Sequence, residues 1–156
     1  WPMIQAPLFQ YPDDPAAWLV EDQYLFGEHM MVAPIWENKT GRHVYLPAGK
    51  WVDYQTRKIL EGAQWHFIEA GELPGIILVK YGSLIPQVAV ALSTDSINWN
   101  EVELVAYSED GEAKGDFYVP ETGALVKLEA SFAGGAWKLN EKGIHTGNTR
   151  FSINAF

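Results

Sequence analysis

Between Ala124 and Phe132 the chain alternates in steps of two. Ala124, Val126, Leu128, Ala130 and Phe132 form one set, and Leu125, Lys127, Glu129 and Ser131 form the other. A period of two puts the first set on a core face and the mostly polar second set in water, as in a half-buried strand. Gly134-Gly135 follows, then Ala136 to Leu139. A two-residue hairpin turn needs positive φ at its centre, which glycine adopts without steric cost. This end of the chain is therefore committed to antiparallel β.

Much of the rest reads the same way. His43 to Leu46 and Lys50 to Thr56 are short strands joined through the turn residues Pro47-Ala48-Gly49. Gly62 to Ala70 carries Trp65, Phe67 and Ile68, and Val102 to Tyr107 is a further strand. Met30 to Ile35 and Gly75 to Lys80 are apolar runs of the kind covered on both faces. Short strands at this spacing predict an antiparallel β-sandwich. One helix is expected ahead of them. Asp13 or Asp14 would cap it, Pro15 would take its first position, Ala16 to Phe26 holds no Gly or Pro, and Gly27 would end it. The polar stretch Ser93 to Asn100 is the expected internal boundary, dividing a domain at 28–92 from one at 93–156.

Composition narrows the function classes. The chain has 156 residues, 47% hydrophobic and 20% charged, and so belongs among globular sequences. Its net charge is −9, and seven acidic residues against Lys114 alone fall between Glu101 and Gly123. Such a surface repels phosphate backbones, so no nucleic-acid partner is expected. There is no cysteine, which excludes disulfides, thiolate zinc sites and thiol catalysis but leaves bacterial cytoplasm and periplasm equally open. No apolar run approaches the ~18 residues of a membrane helix, and no membrane partner is expected.

Six blocks, in order, carry a resemblance. They are Ala6-Pro-Leu-Phe-Gln-Tyr-Pro-Asp-Asp14, Asp22-Gln-Tyr-Leu-Phe-Gly27, Met31-Val-Ala-Pro34, Arg42-His-Val-Tyr-Leu-Pro47, Gly49-Lys-Trp-Val-Asp-Tyr54 and Tyr81-Gly-Ser-Leu-Ile-Pro86. Together they resemble glycoside hydrolase family 31, the retaining α-glucosidases and α-xylosidases. Ser93-Thr94 with Trp99, and the segment from Gly115 to Pro120, bring the chain nearer the α-xylosidase branch. The resemblance implies that residues 1–27 are the last strand and helix of a (β/α)8 catalytic barrel and that β-sandwich domains follow. It also implies that the nucleophile and acid aspartates lie upstream. The family usually has Arg just before the Pro-Leu-Phe block, where this chain has Gln5-Ala6. Opening at Trp1-Pro2 inside an apolar segment, the chain reads as the C-terminal piece of a longer hydrolase. Its implied partners are the upstream barrel of the same protein, the parent's oligosaccharide substrate and further copies in a homo-oligomer; no cofactor is implied. Met3, Ile4, Leu8 and Phe9 would then be covered by other protein. A free-standing carbohydrate-binding sandwich is the rival reading, but it has no need of a barrel strand at Pro2 to Phe9.

Residue chemistry agrees that catalysis lies elsewhere. A retaining glycosidase needs two carboxyl groups about 5–5.5 Å apart. Asp13/Asp14 and Glu21/Asp22 are adjacent pairs on one cap or one surface, and Glu109/Asp110/Gly111 is a turn. His29, His43, His66 and His145 lack metal-ligand spacing, and no metal is expected. Ser83 and Ser93 lack a nucleophile elbow. Trp36, Trp51, Trp65 and Trp99 offer either core packing, the favoured reading, or a surface for stacking sugars. The weak candidates for touching substrate are Asp13 and Asp14, beside the barrel's catalytic face, and Trp36.

Overall fold

The computed structural model describes residues 2–36, 40–109, 111–140 and 149–156, which hold fourteen β-strands, two 3₁₀ turns and no α-helix. The mainly β class follows the sequence. The helix does not. Asp14 begins it as expected, its Oδ1 accepting the Ala16 N–H at 3.0 Å. The following bonds, Ala17 N–H to Asp14 O and Leu19 N–H to Ala16 O, are three-residue turns that never lengthen into a helix. What stops the helix is Tyr24–Phe26, whose Tyr-Leu-Phe triplet forms β2 between two ladder partners: β1 (Ile4–Gln5) and β3 (Met30–Pro34). Gly27, with φ +64°, then turns a hairpin where the sequence suggested a helix end. The expected first strand shrinks to Ile4–Gln5, because Pro7–Phe9 winds into a 3₁₀ turn.

The chain divides into two compact units, residues 1–81 and 82–156. That division precedes the polar stretch at 93–100, because β9 (Ser83–Gln87) pairs with strands of the second unit.

In the first unit β4 is Gly41–Leu46, β5 Lys50–Asp53, β6 Ile59–Glu61, β7 Gln64–Glu69 and β8 Gly75–Lys80. One sheet runs β1-β2-β3-β8-β5-β6, and β4 pairs with β7 as a second layer. Every pairing is antiparallel. Leu25, Met31, Ala33, Ile76, Leu78 and Trp51 from the large sheet meet Val44, Leu46 and Ile68 from the small one in a single core. This is the expected sandwich. Pro47-Ala48-Gly49 carries the chain from one layer to the other. There the Pro47 carbonyl accepts the buried Trp51 indole N–H at 2.9 Å, and Gly62 packs directly against it. A carboxylate ends β5: Asp53 Oδ1 accepts the N–H groups of Gln55 and Thr56 at 2.8 and 3.0 Å, cutting short the run expected to reach Thr56.

The second unit adds β10 (Glu101–Tyr107), β11 (Glu112–Val119), β12 (Ala124–Ala133), β13 (Ala136–Leu139) and β14 (Arg150–Ala155), in the sheet order β13-β12-β11-β9-β10-β14. The β12–β13 hairpin turns at Gly134 and Gly135, with φ +63° and +81°, as the sequence required. Leu128 and Ala130 are buried among Leu84, Leu104, Ala106, Phe117 and Val119. On the opposite face Lys127 meets Asp116, and Lys114 lies between Glu112 and Glu129. Two pairings, β9–β11 and β10–β14, are parallel, which local alternation could not announce.

Candidate functional site

The outer face of the β4–β7 layer is aromatic. Antiparallel register sets His43 opposite Phe67 and Tyr45 opposite Trp65. His43 and Phe67 meet edge to face with ring centroids 5.3 Å apart, and Tyr45 and Trp65 meet at 5.4 Å. Such cross-strand ring pairs stabilise a two-stranded layer. They also leave Trp65 half exposed and Phe67 and His43 largely in solvent. Beside this face lies a cleft of about 230 Å³ whose lining includes Trp36, Trp65, His43, Asp22 and Arg42.

Arg42 fixes the polar side of the cleft. Its guanidinium donates to the carbonyls of Asp22 and Pro34 at 2.8 and 2.9 Å and pairs with the Asp22 carboxylate. Its side chain is 12% exposed, against 58% for Asp22. The carboxylate thus sits at the rim with its charge compensated.

Asp14 has two tasks. Besides its turn bond, Oδ2 accepts the Tyr45 hydroxyl at 2.6 Å. Burial chiefly, then the bond to Asp14 and its negative charge, pushes the Tyr45 hydroxyl up to about 12, so it remains a donor at neutral pH. Burial alone does the same for Tyr11. Asp13 and Glu21 are exposed.

The remaining candidates separate cleanly. Of the four tryptophans, Trp51 is core and Trp99 packs partly buried on the second unit's core, while Trp36 and Trp65 line the cleft. His66 Nε2 lies 2.7 Å from the Glu61 carbonyl, and Ser93 shares a hydrogen bond with Ser96. Ser83 is buried. His145 and Asp110 lie outside the described residues. Sequence reasoning missed Gln23. Its Nε2 donates to the Tyr45 carbonyl at 2.6 Å and its Oε1 accepts the Tyr45 N–H at 2.9 Å, so a side-chain amide serves as the missing neighbour of β4. The one signal was a glutamine within the block Asp22 to Gly27, which the sequence places at the end of a helix.

Comparison with known proteins bears on the whole chain. A family model described as the glycosyl hydrolase family 31 C-terminal domain matches residues 1–85. Alpha-glucosidase 2 of Bacillus thermoamyloliquefaciens is 35% identical over 132 residues, covering 74% of this chain and 17% of that protein. Among solved structures, a dextranase of Flavobacterium johnsoniae complexed with glucose superposes with a TM-score of 0.76 at 25% identity, over 88% of this chain and 19% of that one. An alpha-xylosidase of Xanthomonas citri gives 0.71 at 25% identity, over 98% and 18%. The chain therefore spans under a fifth of the length of these relatives.

Proposed function

The chain belongs to glycoside hydrolase family 31, and on that premise we propose that it is the non-catalytic C-terminal β-region of a retaining α-glycosidase acting on α-linked glucosides or xylosides. Its own job is mechanical. It braces the catalytic barrel of the same polypeptide and supplies neither the nucleophile nor the acid. In this reading residues 1–27 carry the chain out of the barrel, and Asp13, Asp14 and Trp36 stand near the pocket rim without entering the chemistry.

The observation that carries this reading is the surface of residues 3–26. Met3, Ile4, Phe9, Trp18, Leu19 and Phe26 are all exposed, Phe9 by 60% and Leu19 by 79%. Ile4 and Phe26 pair across β1 and β2, so two of these side chains are neighbours. So many large apolar groups in one short segment mark a surface covered by other protein. A sandwich that served only to bind sugar would have no use for them.

The test replaces Phe9, Trp18 and Leu19 together by serine in this chain. The melting temperature should hold while self-association, read by light scattering, falls. A melting temperature lowered by about ten degrees would mean these side chains belong to the unit's own core, and the bracing role would fail. The same preparation should release no p-nitrophenol from p-nitrophenyl α-xyloside or α-glucoside. Turnover near 1 s⁻¹ that vanishes on mutating a carboxylate of this chain would overturn the non-catalytic assignment.

A further inference from the structure

We infer that the cleft between Trp36 and Trp65 is a carbohydrate subsite that accepts a single neutral pyranose ring. Its lining combines the two features a sugar ring needs. Two indoles, Trp36 66% exposed and Trp65 50% exposed, offer flat apolar faces to the ring's C–H surface. Asp22, Arg42 and His43 offer acceptors and donors to the hydroxyls at its edge.

Size and charge narrow the ligand. At about 230 Å³ the cleft falls below the about 300–1,000 Å³ of pockets for drug-sized ligands, which suits one ring and not a helix or a peptide strand. Among the described residues of the lining, the one carboxylate and the one guanidinium pair with each other, so these two groups leave little net charge to draw an ionic ligand. With a net charge of −9 on the chain, nucleotides and sugar phosphates are disfavoured further. A purely apolar ligand would leave the polar rim unused.

Much of the cleft is built in advance. Arg42 donates to three main-chain carbonyls, Trp65 lies against the Tyr45 ring, and His43 stands edge-on to Phe67. A ligand entering such a site pays less for immobilising these side chains. The inference does not depend on the proposed function, because binding is read on this chain whether or not its parent is a glycosidase.

Saturation-transfer NMR on the intact chain tests it, with xylose, glucose and isomaltose as probes at about 10 mM and sorbitol, the open-chain reduction product of glucose, as a control without a ring. The ring protons of at least one sugar should receive saturation and those of sorbitol should not. Affinity should be millimolar, and Trp36→Ala and Trp65→Ala should each weaken it about tenfold or more while the melting temperature confirms folding. Trp36→Ala keeps the test sound even if Trp65→Ala, which loses the Tyr45 contact, proves unstable. Absence of transfer to every sugar, equal transfer to sorbitol, or transfer that survives the double variant would overturn the inference. Self-association abolished by Trp65→Ala without sugar binding would also overturn it, in favour of a protein partner.

Discussion

Removing the Gln23 amide should unfasten β4 from its neighbour without opening a cavity. Gln23 and Tyr45 are 4% and 5% exposed, so nothing around the two bonds between them is open to water. Leucine at position 23 preserves most of the volume but leaves the Tyr45 N–H and C=O buried without that partner. Each orphaned backbone group costs about 1–3 kcal/mol, about 2–6 kcal/mol for the pair. Burying a leucine returns about 1.5–3 kcal/mol. Taken from the middle of each range, the expected net loss for Gln23→Leu is about 2 kcal/mol, a sizeable part of the about 5–15 kcal/mol typical of a domain. Urea unfolding would show it as a lower midpoint at an unchanged slope. Gln23→Glu makes the argument sharper. A protonated carboxyl can still donate to the Tyr45 carbonyl and accept from its N–H, but a carboxylate can only repel that carbonyl. The glutamate variant should thus recover stability as pH falls through its carboxyl pKa. A Gln23→Leu variant within about 0.5 kcal/mol of the parent, or a Gln23→Glu variant insensitive to acid, would refute the strand-mimic role.

Gly62→Ala should be strongly destabilising, since its Cβ would lie 1.9 Å from the Pro47 carbonyl oxygen that also holds the Trp51 indole; a loss below about 1 kcal/mol in urea unfolding would mean the layer crossing yields easily. The raised hydroxyls of Tyr11 and Tyr45 predict a stability that is complete below pH 10 and falls between pH 10 and 12, where the unfolded tyrosines have lost protons that the folded ones keep. Tyr45→Phe should flatten that fall, and a urea midpoint whose descent is identical in the variant would dissociate it from this hydrogen bond.

How much was legible depended on whether the decisive contact was local. The hairpin at Gly134-Gly135, the apolar run of β8 and the alternation at the centre of β12 were readable because each is set by neighbours in sequence, whereas Ala124 and Phe132, expected on the core face, are exposed at the ends of β12. The false helix fails for the complementary reason. Asp14-Pro15 is a true start signal, but the fate of residues 16–26 was decided by β1 and β3 pairing with Tyr24–Phe26, contacts that no local pattern encodes. The same holds for the division after Tyr81. The polar run at 93–100 looked like a boundary, yet β9 belongs to the second sheet by pairings with residues sixteen or more places downstream.

Site and family diverged in the same way. Family membership was legible because six short blocks keep their order, and the matched region 1–85 contains nearly all of them. The α-xylosidase leaning rested on residues 93–120, past that region, and the relatives include alpha-glucosidases and alpha-xylosidases alike. Trp36 and Trp65 were visible as aromatics but not as a pair, and Trp51 carried equal weight in the sequence although it is wholly buried. What separates them is strand direction. Trp51 points from β5 into the core shared by the two layers, whereas Trp65 lies on the outer face of β7, whose register with β4 places it over Tyr45. A one-residue slip in that register would turn Trp65 inward and His66 outward. The cleft is therefore a property of the β4–β7 pairing, and Gln23, by fastening β4 at Tyr45, holds in place the face on which the cleft is built.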